Sequence, residues 1–427
     1  MATLRPFRAL RYNPAVVGDL STVVAPPYDV ISAAQRDALY ERSTHNAVRL
    51  ILSRDVDPYA AAASALQTWR RDGVLVRDAL PSLCYHVEEF VLPDGSAHRR
   101  EGVIGAVRLE PFATGRIRPH ERTFASHKED RMRILRAVRT NLSPIFGLFA
   151  NQTAALGSAR AIAAARQPDM ALDDSTGVRH RAWLLTEPAS IAAICGALAD
   201  ETVFIADGHH RYETGLAYAE ECRAKGAADP EAAHNFIMMY LTSMSDPGLV
   251  ILPTHRVLSG GARLHAAELH TRLRSHFTLT AFARTARTEF LECLRRSRQH
   301  AGVGIVLAGA DEVYVAILSD PKALDRYAQH LAPVVRRLDV AVLDTVILRG
   351  LMGIDCTAAA QEGHLAYTHD DDAALRAIDA GAQAVFLMNP PRIEDVQAVC
   401  LAGETMPEKS TYFYPKLPTG LVFRPLE

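Results

Sequence analysis

The chain has 427 residues, of which 48% are hydrophobic and 22% are charged, values typical of a soluble globular enzyme with two or three cores. A formal net charge of −2 argues against a protein that needs a basic surface to bind nucleic acid or a membrane. Six cysteines without a CxxC pair argue against a disulfide framework or a cysteine-rich structural zinc site.

Two further absences bear on where the protein is expected to work. The first residues contain arginines but no apolar core of signal-peptide length. No apolar run is long enough to span a bilayer. The cytoplasm is therefore the expected location.

Two prolines organise the first candidate corner of the chain. Residues 23 to 32 predict a strand that the prolines break, followed by a helix that Ser32 caps. Tyr28 and Asp29 would then stand at the tip of a rigid turn. A plain Pro-Pro turn with an Asx-type bond explains the same residues equally well, so both interpretations stand.

Periodicity and turn signals predict the other elements of the first 200 residues. Apolar alternation indicates strands, and apolar residues at helical spacing indicate helices. The predicted strands are residues 47 to 52, 83 to 92, 98 to 108 and 179 to 186, and the predicted helices are residues 58 to 72, 153 to 166 and 188 to 198.

A dense group of charged residues precedes an amphipathic helix that is predicted to start near residue 132. The group contains Arg118, His120, Glu121 and Arg122, followed by Lys128. Such a mixture is either a solvated face or the polar wall of a pocket. The rigid proline before His120 favours the pocket.

The most informative segment is a short strand that breaks at a glycine and turns into a helix. Residues 202 to 206 are apolar, and residues 211 to 223 carry apolar side chains at helical spacing. The residues between them are Asp207, Gly208, His209 and His210, and Arg211 follows. Backbone N–H groups, the helix dipole, two imidazoles and a guanidinium would converge there on an anion, most naturally a phosphate.

The composition shifts near residue 260, which predicts a first domain of residues 1 to 258 and a C-terminal α+β domain of residues 259 to 427. The predicted strands of the second domain are residues 277 to 284, 364 to 368 and 383 to 388 with a hairpin at 303 to 319, and its predicted helices are residues 263 to 275, 287 to 298, 322 to 331, 338 to 352, 371 to 380 and 392 to 402.

The last segment, residues 406 to 417, interleaves aromatic, lysine and hydroxyl side chains, which is unlike a solvated tail. It is expected to be an ordered strand and turn that folds back. Lys409, Ser410 and Thr411 could donate hydrogen bonds to an anion, and a core-sealing strand with solvated lysines explains the segment as well.

Six blocks of this sequence resemble a large bacterial and archaeal family catalogued as a domain of unknown function, number 1015. The blocks are APPYDVIS (25–32), RPHERT (118–123) with KEDR (128–131), NLSPIFGL (141–148), ADGHHRYET (206–214), DPGLVILPTHR (246–256) and MPEKSTYFYPKL (406–417). Together they span nearly the whole chain.

The DGHHR element also resembles the phosphate-binding signature of the ParB/sulfiredoxin superfamily, and that of its free-serine kinases best. The resemblance implies an α/β (α+β) fold with a mixed sheet and helices, and serine or phosphoserine as a ligand. Sulfiredoxins need a reactive cysteine in this turn, where the present chain has His209, so sulfinic-acid reduction is excluded. Partition proteins need a DNA-binding helix-turn-helix and a basic surface, which we do not find.

The predicted function is phosphoryl transfer to or from a small hydroxy amino acid, most naturally free serine or O-phosphoserine, by a kinase or a phosphatase. Asp207 is predicted to hold Mg²⁺, directly or through water, and Asp29 or Glu121 is the predicted base. The predicted phosphate-binding residues are Gly208, His209, His210, Arg211, Lys128, Lys409, Ser410 and Thr411. The predicted substrate pocket comprises Tyr28, Arg118, His120, Arg122, Thr214 and His255.

The phosphate donor would be a nucleotide or pyrophosphate, and the partner a small molecule rather than nucleic acid or a membrane. A homodimer is left open. The alternative from a different class is a regulator that binds a nucleotide without turnover. A DNA partition or scaffold protein is the weakest interpretation because of the charge balance.

Overall fold

A computed structural model describes residues 3 to 121, 125 to 150, 153 to 261, 265 to 298 and 300 to 427. The chain forms two compact units of mixed α/β structure. The first contains residues 1 to 119, 123 to 250 and 415 to 427, and the second contains residues 120 to 122 and 251 to 414. The sequence prediction had a single boundary near residue 259 and left open a return of residues 406 to 417 to the site. The chain rejoins the first unit at Pro415.

A mixed nine-stranded sheet forms the centre of the first unit. Its strands, in spatial order, are Ile117–Pro119, Val203–Asp207, Ile145–Phe149, Phe236–Ser243, Ala97–Arg108, Leu83–Val91, Arg179–Leu185 and Met170–Asp173, and Leu4–Arg5 pairs with Ala97–Arg108. Two neighbouring pairs are parallel, namely Val203–Asp207 with Ile117–Pro119 and Phe236–Ser243 with Ile145–Phe149. Small two-stranded pairs join Leu10–Tyr12 with Leu75–Arg77 and Thr140–Asn141 with Arg424–Pro425.

Helices complete the first unit. They are Pro14–Val17, Ala33–Arg42, Val48–Ile51, Pro58–Arg71, Ala125–Val138, Gly157–Ala165, Pro188–Leu198 and His209–Ala224. Ser32 caps Ala33–Arg42 as predicted, in a capping box with Gln35.

The prediction of a strand at residues 47 to 52 is wrong, because the chain forms the short helix Val48–Ile51 there. The buried Asn46 side chain accepts a hydrogen bond from the Val48 N–H and donates to the carbonyls of Thr22 and Val24. A short apolar run cannot be assigned to strand or helix by its pattern alone, and here a side-chain hydrogen bond decides.

An antiparallel six-stranded sheet forms the centre of the second unit. Its strands, in spatial order, are Phe277–Ala283, Glu312–Leu318, Gly302–Leu307, Ala384–Met388, His255–Leu258 and Leu365–Thr368. The helices of this unit are Ala266–Arg274, Arg287–Arg296, Lys322–Tyr327, Pro333–Arg336, Asp339–Val342, the π-helix Leu343–Leu351, Cys356–Gln361, Asp371–Asp379 and Ile393–Leu401. The short strands Val250–Leu252 and Tyr412–Tyr414 belong to neither of the two large sheets.

The helix His209–Ala224 is fixed to the first unit at its N-terminal end. The Tyr212 hydroxyl accepts from the Glu110 N–H and donates to the Glu110 carbonyl, and the Tyr212 ring stacks on Phe112 with centroids 5.3 Å apart. A Cβ on Gly215 would approach the Ile237 side chain to 2.7 Å, so this helix packs close to the central sheet. The first turn of the helix therefore has a defined position.

Within the described residues, no helix combines the length and the apolar character that crossing a bilayer requires.

Candidate functional site

The turn of residues 207 to 211, here called the Asp207 turn, joins an interior strand of the main sheet directly to a long helix. Asp207 ends the strand Val203–Asp207, and His209 begins the helix His209–Ala224. Gly208 between them has a φ of +92°, in the region that favours glycine. A Cβ at Gly208 would also lie 2.9 Å from the Arg211 guanidinium. The sequence prediction of a strand, a glycine break and a helix is confirmed.

The N-terminus of this helix is suited to bind an anion. The first N–H groups of a helix have no acceptor within the helix, and the helix dipole places partial positive charge there. As a glycine, Gly208 has no side chain with which to cap these groups. Anionic ligand groups, above all phosphate, are stabilised at such positions.

Two cations bind the Asp207 carboxylate. Arg211 Nη2 donates to Oδ2 over 2.7 Å, and the Lys416 ammonium donates to Oδ1. Arg211 Nη1 also donates to the Pro144 carbonyl over 2.7 Å, so its guanidinium is held at both ends. The side chains of Asp207 and Lys416 are only 14% and 12% exposed. The turn thus carries one carboxylate between two largely buried cations.

These contacts decide the charge of Asp207. Burial raises the pKa of its carboxyl, but the charges of Lys416 and Arg211 and the hydrogen bond from Lys416 outweigh burial and hold the pKa well below its ordinary value. Asp207 is therefore an anion at neutral pH. Since both of its oxygens already bind cations, the arrangement does not favour a directly bound Mg²⁺ ion there.

Tyr28 lies beside the Asp207 turn. Burial raises the pKa of the Tyr28 hydroxyl to about 12, with the charge of Asp29 as the next cause. Arg131 and Arg211 oppose that rise, and Asp207 adds to it. The Arg131 guanidinium also lies 3.8 Å from the centre of the Tyr28 ring. The Pro-Pro corner and the Asp207 turn are therefore close enough to interact electrostatically.

Asp29 differs from its neighbour in exposure. It lies in the short 3₁₀ helix Tyr28–Val30, and its side chain faces solvent. Among the residues that the structure describes, none makes a hydrogen bond or an ion pair with the Asp29 carboxylate. The carboxylate is therefore open to a substrate.

A small cavity of about 60 Å³ adjoins the same residues. Tyr28, Arg131, Arg211 and Thr214 contribute to its wall. Thr214 is buried, and its hydroxyl has no hydrogen-bond partner in the described part of the chain. A buried hydroxyl without a partner is costly, so a water molecule or a small polar group would be stabilised beside Thr214.

Two other cations of the predicted pocket make contacts within the first unit. Lys128 forms an ion pair with Glu213 in the helix of the Asp207 turn. Arg118 Nε donates to the Gly115 carbonyl over 3.0 Å. Arg122, also predicted, lies outside the described residues.

His120 and Glu121 belong to the second unit, where they bind the last segment of that unit. Glu121 Oε1 accepts hydrogen bonds from the N–H groups of Ser410 and Thr411, each over 3.0 Å, and from the Thr411 hydroxyl over 3.1 Å. His120 Nε2 lies 2.7 Å from the same hydroxyl oxygen. Lys409 has a φ of +56°, which is rare for a residue with a side chain. Glu121 thus stabilises a tight turn.

His255 lies at the start of an interior strand of the second unit. Its Nδ1 accepts from the Met388 N–H over 3.0 Å, and its Nε2 lies 2.8 Å from Asp371 Oδ1. Both ring nitrogens are therefore used within the fold. A role in substrate binding stays a prediction.

The second unit also contains a cavity of about 570 Å³. The residues that line it include Arg256, Arg298, Arg337, Arg392, Asp339, Asp395 and Ser410. Burial raises the pKa of Asp339 to about 7, although a hydrogen bond from Asn389 opposes that rise. A cavity with more arginines than carboxylates would accept an anionic small molecule.

Two residues of the site were not among the sequence predictions. Lys416 binds Asp207, and Arg131 covers Tyr28. Both occur in sequence blocks that carry the family resemblance, and this membership was the one feature of the sequence that could have indicated them as site residues. Their side-chain partners are distant in sequence, and no local pattern indicates such contacts.

The chain belongs to the family described as protein of unknown function (DUF1015), whose profile matches residues 4 to 341. No curated protein sequence matches the chain.

Solved structures give only weak similarity. A mutant of a free serine kinase in complex with ADP is 11% identical, with 73% of this chain and 87% of that chain covered and a TM-score of 0.37. A conserved hypothetical protein from Pyrococcus furiosus is 13% identical, with 76% and 95% covered and a TM-score of 0.38. SbnI with a C-terminal truncation, from Staphylococcus aureus, is 14% identical, with 76% and 87% covered and a TM-score of 0.34. Such low TM-scores do not establish a shared fold, and the resemblance to the ParB/sulfiredoxin superfamily stays a prediction.

Proposed function

We propose that this protein transfers a phosphoryl group to or from the hydroxyl of a small amino acid, with free serine and O-phosphoserine as the pair. The observation that carries the proposal is the Asp207 turn. It combines the N-terminus of a 16-residue helix with a group of charged side chains. The negative charge of Asp207 neutralises only one of the two positive charges of Arg211 and Lys416, so the group is net positive. Catalysis of phosphoryl transfer depends mainly on such fixed positive groups around the phosphate.

Asp207 orients this positive group and does not take the proton. A carboxylate held between two cations is a weak base, so its contribution is to fix the directions of the Lys416 and Arg211 donors. Gly208 lets a phosphate approach the backbone, and His209 and His210 add donors at the same helix end.

Asp29 is the base in this proposal. Its exposed carboxylate is open to a serine hydroxyl. Asp29 adjoins Tyr28, whose pKa is affected by the charges of Arg211 and Asp207 in the Asp207 turn. Glu121 is the alternative base, but three hydrogen bonds to its Oε1 commit that oxygen to the turn at residues 409 to 411. The phosphate donor is proposed to be a nucleotide or pyrophosphate.

The test uses the purified full chain in both directions of the reaction. L-serine is incubated with ATP, ADP or pyrophosphate, with and without Mg²⁺, and O-phosphoserine is incubated alone or with ADP. Phosphorus-31 NMR detects phosphoserine and released phosphate. We expect product in at least one mixture, and loss of product in Asp207→Asn but not in the exposed control Asp200→Asn.

Two results would reject this function. The proposal is rejected if the folded protein forms no phosphoserine and releases no phosphate in any mixture. Nucleotide binding without product, unaffected by Asp29→Asn, would instead indicate a regulator.

A further inference from the structure

Three buried side chains on one face of the main sheet of the first unit converge at a point outside the proposed phosphate site. His86 and Glu88 are two residues apart on the strand Leu83–Val91, so their side chains leave the same face. His180 lies directly opposite Glu88 on the neighbouring strand Arg179–Leu185. All three residues are fully buried.

The spacing of their polar atoms is that of ligands around a metal ion. His86 Nε2 lies 3.1 Å from His180 Nδ1, and Glu88 Oε1 lies 3.8 Å from the same nitrogen. One ligand atom from each residue can be chosen so that all three lie within 4.8 Å of one another. Ligands placed tetrahedrally at about 2.1 Å from Zn²⁺ are about 3.4 Å apart, a value between the two distances to His180 Nδ1.

The outer contacts of His180 and Glu88 are also those of metal ligands, whereas the outer nitrogen of His86, Nδ1, has no hydrogen-bond partner among the described residues. His180 Nε2 lies 3.3 Å from Asp174 Oδ2, a carboxylate–histidine contact that leaves Nδ1 with its lone pair towards His86. Arg100 donates from Nε and Nη2 to Glu88 Oε2. The other oxygen, Oε1, is buried and has no hydrogen-bond partner among the described residues. An unpaired buried carboxylate oxygen is costly, and a cation would remove that cost.

We infer that His86, Glu88 and His180 bind one divalent transition-metal ion, most naturally Zn²⁺. Two imidazoles and one carboxylate are a ligand set that suits this ion, and a hard ion such as Mg²⁺ would prefer oxygen ligands. Because the residues are fully buried, the ion would be incorporated during folding. Three protein ligands leave the fourth tetrahedral position to a water molecule.

The ion would also brace the segment that reaches the Asp207 turn. Arg100, which binds Glu88, donates to the Pro415 carbonyl over 2.7 Å. Pro415 directly precedes Lys416, the partner of Asp207. The inference itself does not depend on the proposed function, because its test measures metal and stability.

The experiment measures metal content in untagged full-length protein purified without chelators, by inductively coupled plasma mass spectrometry. We expect about one equivalent of Zn²⁺ per chain in the wild type, and less than about a tenth in Glu88→Gln and His180→Gln. His98→Gln, on the same hairpin, is the matched control and should keep the ion. Wild type unfolded with chelator should refold to a thermal midpoint at least about 5 °C higher with Zn²⁺ than without.

Two results would overturn the inference. One is wild-type protein with less than about a tenth of an equivalent of any transition metal that refolds to the same midpoint with and without Zn²⁺. The other is a loss of metal in His98→Gln as large as that in Glu88→Gln and His180→Gln, which would indicate adventitious binding. If Glu88→Gln or His180→Gln does not fold, the refolding comparison on wild type decides alone.

Discussion

Two partly buried aspartates, one in each unit, have opposite charge behaviour. Burial by itself raises the pKa of both Asp207 and Asp339. Asp207 contacts Lys416 and Arg211 directly, and its pKa is held well below the ordinary value. Asp339 accepts a hydrogen bond from the neutral Asn389, and its pKa rises to about 7. Direct contact with cations, rather than the degree of burial, makes the difference.

This contrast assigns different chemistry to the two regions. The Asp207 turn keeps its carboxylate ionised and presents a fixed positive group, which suits binding of a phosphate. The Asp339 carboxyl has a pKa of about 7, so it gains or loses its proton near neutral pH. In the proposed reaction, the proton acceptor for the serine hydroxyl would therefore be a carboxylate other than Asp207.

The largest effect is expected for Asp29→Asn. Removal of the base should lower kcat at least about 100-fold, because general-base catalysis contributes that much or more. Stability should not change, since Asp29 is exposed. Steady-state phosphoserine assays and urea unfolding check both. The exposed Glu41→Gln is the control, and a Glu121→Gln variant that loses more activity than Asp29→Asn would reverse the assignment of the base.

The next largest effect is expected for Asp207→Asn. Lys416 and Arg211 would keep their charges in largely buried positions without a carboxylate, which should lower the free energy of unfolding by about 3 kcal/mol. Trp69 and Trp183 both lie in the first unit, so tryptophan fluorescence during urea unfolding reports on that unit. Asp200→Asn should be neutral. An Asp207→Asn change below about 1 kcal/mol would show that the two cations do not depend on the carboxylate.

The smallest effect is expected for Asp339→Asn and depends on pH. In the folded chain Asp339 keeps its proton up to about pH 7, whereas an unfolded aspartate loses it near pH 4. The stability that Asp339 contributes is therefore complete below about pH 4 and is lost as the pH rises through about 7. Asparagine mimics the protonated form at every pH.

The variant should therefore match the wild type at pH 4.5, to within about half a kcal/mol, and exceed it at pH 8 by about 2 kcal/mol after allowance for partial exposure. Hydrogen exchange in the strand Ala384–Met388 measures the second unit separately. Identical pH profiles for variant and wild type would mean that Asp339 ionises normally.

The sequence predicted the local structure of the Asp207 turn well. A strand, a glycine and a helix follow one another within a few residues, so local pattern and turn chemistry were sufficient. Helix Pro188–Leu198 was predicted to the residue, because Pro188 marks its start. The strand predicted at residues 47 to 52 failed because the buried Asn46 side chain caps a helical turn.

The partners in the site could not be predicted in the same way. Lys416 reaches Asp207 from a segment far along the chain, and Glu121 binds Ser410 and Thr411 over a similarly large separation. Such contacts depend on how distant segments return to the same unit. The block at residues 406 to 417 indicated only that this segment is ordered.

The most direct test of the account is a crystal structure of the full chain with O-phosphoserine. The phosphate oxygens are predicted to accept hydrogen bonds of about 2.8 to 3.0 Å from the backbone N–H groups at the start of helix His209–Ala224, near Arg211 and Lys416. A phosphate bound instead among the arginines of the cavity around Asp339, with none at the Asp207 turn, would contradict it.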